Sequence, residues 1–124
     1  MEEKRRYPRY PCKIKAKFNF YEGNPDEIDY DLTVPAKGSG TICDISEGGA
    51  CIITRDRVAV GSPALVIFKA GRNKFSVPGR IVRTGLLQNN PTEVAKRLAA
   101  FASKGDAYIA VEFKEPIPLD PETL

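Results

Sequence analysis

The chain has 124 residues, 42% hydrophobic and 28% charged, which suits one domain with its own core and argues against wholesale disorder. Nineteen basic and sixteen acidic residues leave a net charge of +3, too mild for wrapping a long nucleic acid, and the absence of histidine excludes His-based metal sites, His general bases and Ser–His or Cys–His nucleophile pairs. No apolar run approaches bilayer length and no apolar stretch follows the charged start, so a cytoplasmic chain without membrane segment or secretory leader is expected.

Residues 1–11 read as a flexible, arginine-rich arm. Lys4, Arg5, Arg6 and Arg9 are interleaved with Tyr7 and Tyr10, while Pro8 and Pro11 disfavour helix and favour extended backbone. Taken alone, such a run is more often a solvated tail than a site. Residues 12–21 then alternate: Cys12, Ile14, Ala16, Phe18 and Phe20 face one way, and Lys13, Lys15, Lys17 and Asn19 the other. That is the pattern of a half-buried strand, and it ties the arm directly to a sheet.

Residues 22–40 are acidic and rich in glycine and proline, which predicts a long loop with a short extended piece at Leu32, Thr33 and Val34. Short strands are expected over 41–45 and 50–54, a nearly continuous apolar strand over 64–69, and an alternating strand over 74–84. Within that last strand, Pro78-Gly79 points to a bulge or an edge position. One helix is predicted over 90–105: Asn90 caps it, Pro91 suits its first position, Glu93 completes a capping box and Gly105 stops it. Val94, Leu98, Phe101 and Ala102 form its apolar stripe. Residues 107–113 make the last strand, and the proline-rich tail 115–124 is expected to run over the surface or fray.

The fold class expected is therefore mainly all-β: a small six-stranded antiparallel β-barrel spanning 12–114, with one helix before the last strand. Serial short strands joined by glycine and proline turns favour closure, which removes exposed edges. Cys12, Cys43 and Cys51 lack C-x-x-C spacing and sit in apolar runs, so buried free thiols are expected.

Between the second and third strands lies Asp44-Ile45-Ser46-Glu47-Gly48-Gly49, a D-x-S-x-x-G hexapeptide. On an extended segment Asp44 and Ser46 project from the same face. A carboxylate and a hydroxyl side by side accept N–H donors from a planar ligand edge, with Gly49 leaving room for close approach. The same residues also make a hairpin turn closed by an Asx-type bond, the more frequent meaning of such a hexapeptide seen alone.

Arg5-Arg6-Tyr7-Pro8-Arg9 ahead of the first strand, followed by this hexapeptide, resembles the PilZ domain family, bacterial receptors for the second messenger cyclic di-GMP. The family signature is R-x-x-x-R and then D/N-x-S-x-x-G, and the closing strand 108–113 is similar too, so the resemblance covers nearly the whole chain. It implies cyclic di-GMP as ligand, no further cofactor, no metal and no catalysis. Arg5 and Arg9 would be base and phosphate clamps, and Asp44, Ser46 and Gly49 the complementary floor. Lys4, Arg6 and Gly48 are weaker candidates; Lys4 occupies a position that in this family influences whether one nucleotide or a stacked pair binds. The chemistry agrees with this assignment. An arginine fork matches guanine O6 and N7 or a phosphate, and an aspartate accepts guanine N1–H and N2–H. The resemblance also implies a downstream protein partner in trans and a role in motility, adhesion or exopolysaccharide (biofilm) regulation.

Two departures stand out: the acidic segment is longer than is usual for such domains, and the helix precedes the last strand instead of following it. Two alternatives are a PilZ-like protein-interaction module that binds no nucleotide, and a small barrel for single-stranded nucleic acid. The second would use Lys13, Lys15 and Lys17 with Tyr21, but the low net charge, the missing tryptophan and the acidic loop count against it. Arg80 and Arg83 are weak extra ligand candidates; as exposed strand arginines, solvation is the simpler reading of them.

Overall fold

In the computed structural model, which describes residues 7–86 and 107–124, six strands form a closed antiparallel barrel. They are β1 (Tyr10–Phe20), β2 (Ala36–Ser46), β3 (Gly49–Thr54), β4 (Pro63–Ala70), β5 (Asn73–Leu86) and β6 (Ala107–Phe113), arranged around the barrel as β1-β2-β3-β6-β5-β4. β1 pairs with both β2 and β4, which closes the ring. The alternation read in β1 holds: Ala16, Phe18 and Phe20 are buried while Lys13, Lys15 and Lys17 are exposed. Ile42, Ile45, Ile52, Val66, Ile81, Ile109 and Val111 complete the interior. Each strand contributes one apolar row, as expected when only one face of the sheet meets a core.

β2 begins at Ala36, so the acidic loop is shorter than the sequence suggests and Leu32, Thr33 and Val34 belong to it and not to a strand. Gly38 and Gly40 read as loop signals, yet both sit in the ladder opposite β1. A Cβ at Gly38 would lie 2.7 Å from the Phe18 ring, so glycine there makes room for a large core side chain. The loop that remains is folded on itself. It carries a 3-10 turn at Pro25–Glu27 capped by Asn24, and Tyr30 lies edge-on to Tyr21.

The irregularity expected at Pro78-Gly79 falls elsewhere. Pro78 pairs with Leu65 and Gly79 with Ala64 in unbroken register, and a closed barrel gives β5 no free edge. The bulge on β5 lies instead between Ile81 and Arg83. A second bulge interrupts β2 between Ile42 and Asp44.

The helix predicted over 90–105 falls outside the described residues and is not borne out; the described residues hold only the 3-10 turns Pro25–Glu27 and Pro121–Thr123. The tail, by contrast, is packed. Ile117 is buried in the core cluster, and Leu119 and Leu124 lie against it. Asp120 caps the last turn through Glu122 N–H at 3.0 Å.

Candidate functional site

The bulge in β2 decides which way the hexapeptide points. Ile42 and Ile45 are both in the core, three positions apart, so the extra residue turns Cys43 and Asp44 outward together. Without it Asp44, two positions from Ile42, would point into apolar side chains. Asp44 and Ser46 instead line a groove of about 550 Å³ on the outer wall, together with Gly48, Gly49 and Cys51. The expectation that Asp44 and Ser46 share a face therefore holds.

Two rows of paired residues floor this wall. In the first, Pro11 faces Asp44, Asp44 faces Cys51, Cys51 faces Ala110 and Ala110 faces Arg83. In the second, Ser46 faces Gly49 and Gly49 faces Glu112, whose partner Arg80 lies beyond the groove. The arm enters beside the acceptor end, because Pro11 pairs with Asp44 and Tyr10 with Ile45. Arg9 follows with its side chain exposed and lining the groove. Arg5, Lys4 and Arg6 lie outside the described residues.

The glycines are explained by space and not by backbone angle. Neither Gly48 nor Gly49 has a positive φ, so the turn does not need glycine for a left-handed conformation. A Cβ on Gly49 would sit 2.5 Å from the Val111 carbonyl oxygen, so this glycine lets β3 approach β6. The close approach that the missing Cβ allows is thus to the neighbouring strand, while Gly49 also lines the groove. A Cβ on Gly48 would meet the Tyr7 ring at 2.9 Å, which makes Gly48 the seat of an arm aromatic.

Ser46 is both groove lining and turn former. The Gly48 N–H donates to its Oγ at 3.2 Å, and the hydroxyl donates to the Gly49 carbonyl at 3.5 Å. The turn is also held from β6 and the tail: Phe113 N–H donates to the Gly48 carbonyl at 2.8 Å and Ile117 N–H to the Glu47 carbonyl at 2.9 Å.

Asp44 is buried, only 8% exposed, and its charge reaches two thiols. Burial, with Asp44 adding to it, pushes the Cys12 thiol up to about 11. The Cys43 thiol is raised further, first by its hydrogen bond with Cys51 and then by burial. None of the three cysteines is in a disulfide, and Cys43 and Cys51 pack with Tyr108 in a small cluster separate from the main core. Held protonated in this way, Cys12 and Cys43 are poor nucleophiles at neutral pH.

Sequence reasoning passed over several lining residues. Tyr7, Cys51, Val82, Ala110, Glu112 and Lys114 all border the groove. Tyr7 had a legible signal, since on an extended arm it shares a face with Arg9 and Pro11. Arg83, only a weak candidate from sequence because its neighbours arise from strand order, also lines the groove. Arg80 leaves this groove for a second one of about 680 Å³, and its Nη1 donates to the Gly61 carbonyl at 2.8 Å. Among the described residues, no group of three or more cysteine, aspartate or glutamate side chains could hold a metal, and no helix is long and apolar enough to cross a membrane.

Comparison with known proteins agrees with this architecture. The chain is similar in structure to the inhibitor of motility MotI/DgrA of Bacillus subtilis, at a TM-score of 0.60 and 15% identity, covering 99% of this chain and 48% of that one. The chain thus spans about half the length of that protein. It is also similar to the PilZ domain of YcgR from Escherichia coli, determined with c-di-GMP, at a TM-score of 0.57 and 12% identity, covering 98% of this chain and 86% of that one. No curated protein sequence matches. The family profile of the PilZ domain matches residues 3–122, and the chain belongs to the PilZ domain family.

Proposed function

We propose that this chain binds cyclic di-GMP in the outer-wall groove and relays the binding to a protein partner in trans. The observation that carries the reading is that Arg9, from the arm, and Asp44 and Ser46, from the hexapeptide, line one groove. The ligand of the YcgR PilZ domain, c-di-GMP, supports taking the same ligand here.

Each residue then has a role set by its chemistry. Asp44 accepts N1–H and N2–H of one guanine, a pair of donors that the two oxygens of a carboxylate take together. Being largely desolvated already, it loses little further hydration on binding. Ser46 supplies a hydroxyl beside it, held in place by the turn. Arg9 clamps a phosphate or a base edge, and Arg5 acts with it from the arm. Tyr7, seated on Gly48, anchors the arm so that Arg9 faces the groove. Gly49 contributes by fixing the β3–β6 spacing, and so the level of the floor, and its backbone lines the groove against the ligand.

The relay runs through the turn. Glu47 and Gly48 are bonded to Ile117 and Phe113, so a ligand that shifts the turn acts on the packed tail. The kinship in fold with an inhibitor of motility supports an output in motility control.

Isothermal titration of the full chain with cyclic di-GMP, with Arg9→Ala and Asp44→Ala as controls, tests this function. Saturable binding by the parent that both variants weaken at least tenfold is expected. A flat trace up to high micromolar ligand, in protein shown to be folded by circular dichroism, removes the nucleotide and leaves the protein-interaction reading.

A further inference from the structure

The bulge on β5 has an effect on the groove that the two sequence motifs do not use. Ile81 pairs with Val111 and Arg83 with Ala110, so the two residues after Ile81 meet a single step of β6. Ile81 is fully buried, whereas Val82 and Arg83 both line the groove. In regular register Arg83, two positions from Ile81, would point inward. The bulge turns a cation and an apolar side chain onto the same outer wall as Asp44.

We propose that Arg83 is a further ligand-binding residue, contacting the guanine that Asp44 does not hold; this rests on the nucleotide reading above. Asp44 and Arg83 stand in one row, separated by Cys51 and Ala110. Three strand spacings put them about 14 Å apart along the wall. The side chains between them are small, so no tall residue of this row divides the groove. An acceptor at one end and a cation at the other suit a ligand with two bases better than a mononucleotide.

Guanine fits Arg83 better than phosphate does. The guanidinium fork donates two parallel bonds to O6 and N7 of a guanine. Val82 beside it is 45% exposed and offers an apolar surface for the base plane, which a phosphate would not use. Arg80 provides the contrast. It carries the same charge on the same strand, yet it is bonded to the Gly61 carbonyl and lines the other groove. Strand charge alone therefore does not account for the position of Arg83.

The test is calorimetric titration of the full chain with cyclic di-GMP, comparing the parent with Arg83→Ala, Arg83→Lys and Arg80→Ala, each checked for folding by thermal melting. Arg83→Ala is expected to weaken binding roughly 10- to 100-fold, the range for losing a bidentate guanine contact. Arg83→Lys recovers little of it, because an ammonium cannot fork onto O6 and N7, and Arg80→Ala stays within twofold of the parent. A loss below fivefold for Arg83→Ala, an equal loss for Arg80→Ala, or full recovery with lysine overturns the proposal. If the folded parent binds no cyclic di-GMP, the nucleotide reading fails and this inference with it; if the parent binds and Arg83→Ala binds equally, only Arg83 is removed.

Discussion

The Ile117 N–H donates to the Glu47 carbonyl at 2.9 Å, and the Ile117 side chain is buried in the barrel core. One residue of the tail thus joins the hexapeptide turn to the interior. A change in the turn is felt by the tail, and a change in the tail moves the turn on which Ser46 depends.

Ile117→Ala should therefore act on both. Truncating a buried isoleucine costs about 2–5 kcal/mol, with the lower end expected here because Ile117 is the most exposed member of the core cluster, at 9%, and its site can partly collapse. Urea unfolding would measure this loss, and titration of the folded variant would register a several-fold weaker ligand. Unchanged stability together with unchanged affinity would separate the tail from the site.

The paired glycines should part company on substitution. Gly49→Ala places a Cβ against the Val111 backbone, which cannot swing aside, so a loss of about 1–3 kcal/mol in stability is expected with or without ligand. Gly48→Ala meets only the Tyr7 ring, and a side chain can move. That variant should keep most of its stability and lose ligand affinity through a displaced arm. Equal destabilisation of the two would contradict the distinction between strand spacing and arm seating. The readouts are denaturation midpoints and calorimetry on the same preparations.

Asp44→Asn keeps the shape and removes the charge. Replacing one acceptor oxygen by an NH₂ donor sets it against the guanine N1–H or N2–H. Loss of a hydrogen bond to a charged group is worth about 1.5–3 kcal/mol, so affinity should fall on the order of 10- to 100-fold. Ser46→Ala removes the acceptor for Gly48 N–H, and about 1 kcal/mol of stability should go with it, alongside the affinity. An Asp44→Asn variant that binds like the parent would mean that Asp44 does not read the guanine edge.

The Cys12 thiol, buried and within the field of Asp44, predicts an alkaline limit. The Cys12 pKa is raised from 9.0 to about 11 in the folded chain, by burial and then by Asp44. Because the folded value lies above the unfolded one, its contribution to stability is complete below the unfolded pKa and is lost as pH rises through the folded pKa. Between about pH 9 and pH 11, the parent should lose stability more steeply than Cys12→Ala, which lacks the group. Parallel urea midpoints across that range measure the difference, and superimposable slopes would show that Cys12 does not contribute.

Much of the barrel was legible in the sequence because one-sided burial writes itself as alternation. The rows of β1, β5 and β6 were readable, since a side-chain period of two shows in any strand that has one wet face. The start of β2 was not, because Gly38 and Gly40 are loop signals in sequence and are explained only by the bulk of Phe18 on the neighbouring strand. The tail does run largely exposed over the surface, but its prolines hide an anchor that consists of Ile117 and two further apolar side chains.

For the site, the sequence by itself determined the chemistry. Asp44 and Ser46 on one face, arginines on an extended arm and a glycine turn are properties of residue type and local spacing. What only the tertiary structure decided is where that chemistry meets. Strand order β1-β2-β3-β6-β5 lays Arg9, Asp44, Ala110 and Arg83 across one wall, and two bulges choose which side chains face out. The physical reason is that pairing between strands distant in sequence, and a single extra residue in a ladder, leave no periodic trace in the chain. The hexapeptide's glycines follow the same division. Their presence was plain, but their purpose, strand approach at Gly49 and a seat for Tyr7 at Gly48, depends on neighbours brought in by the fold.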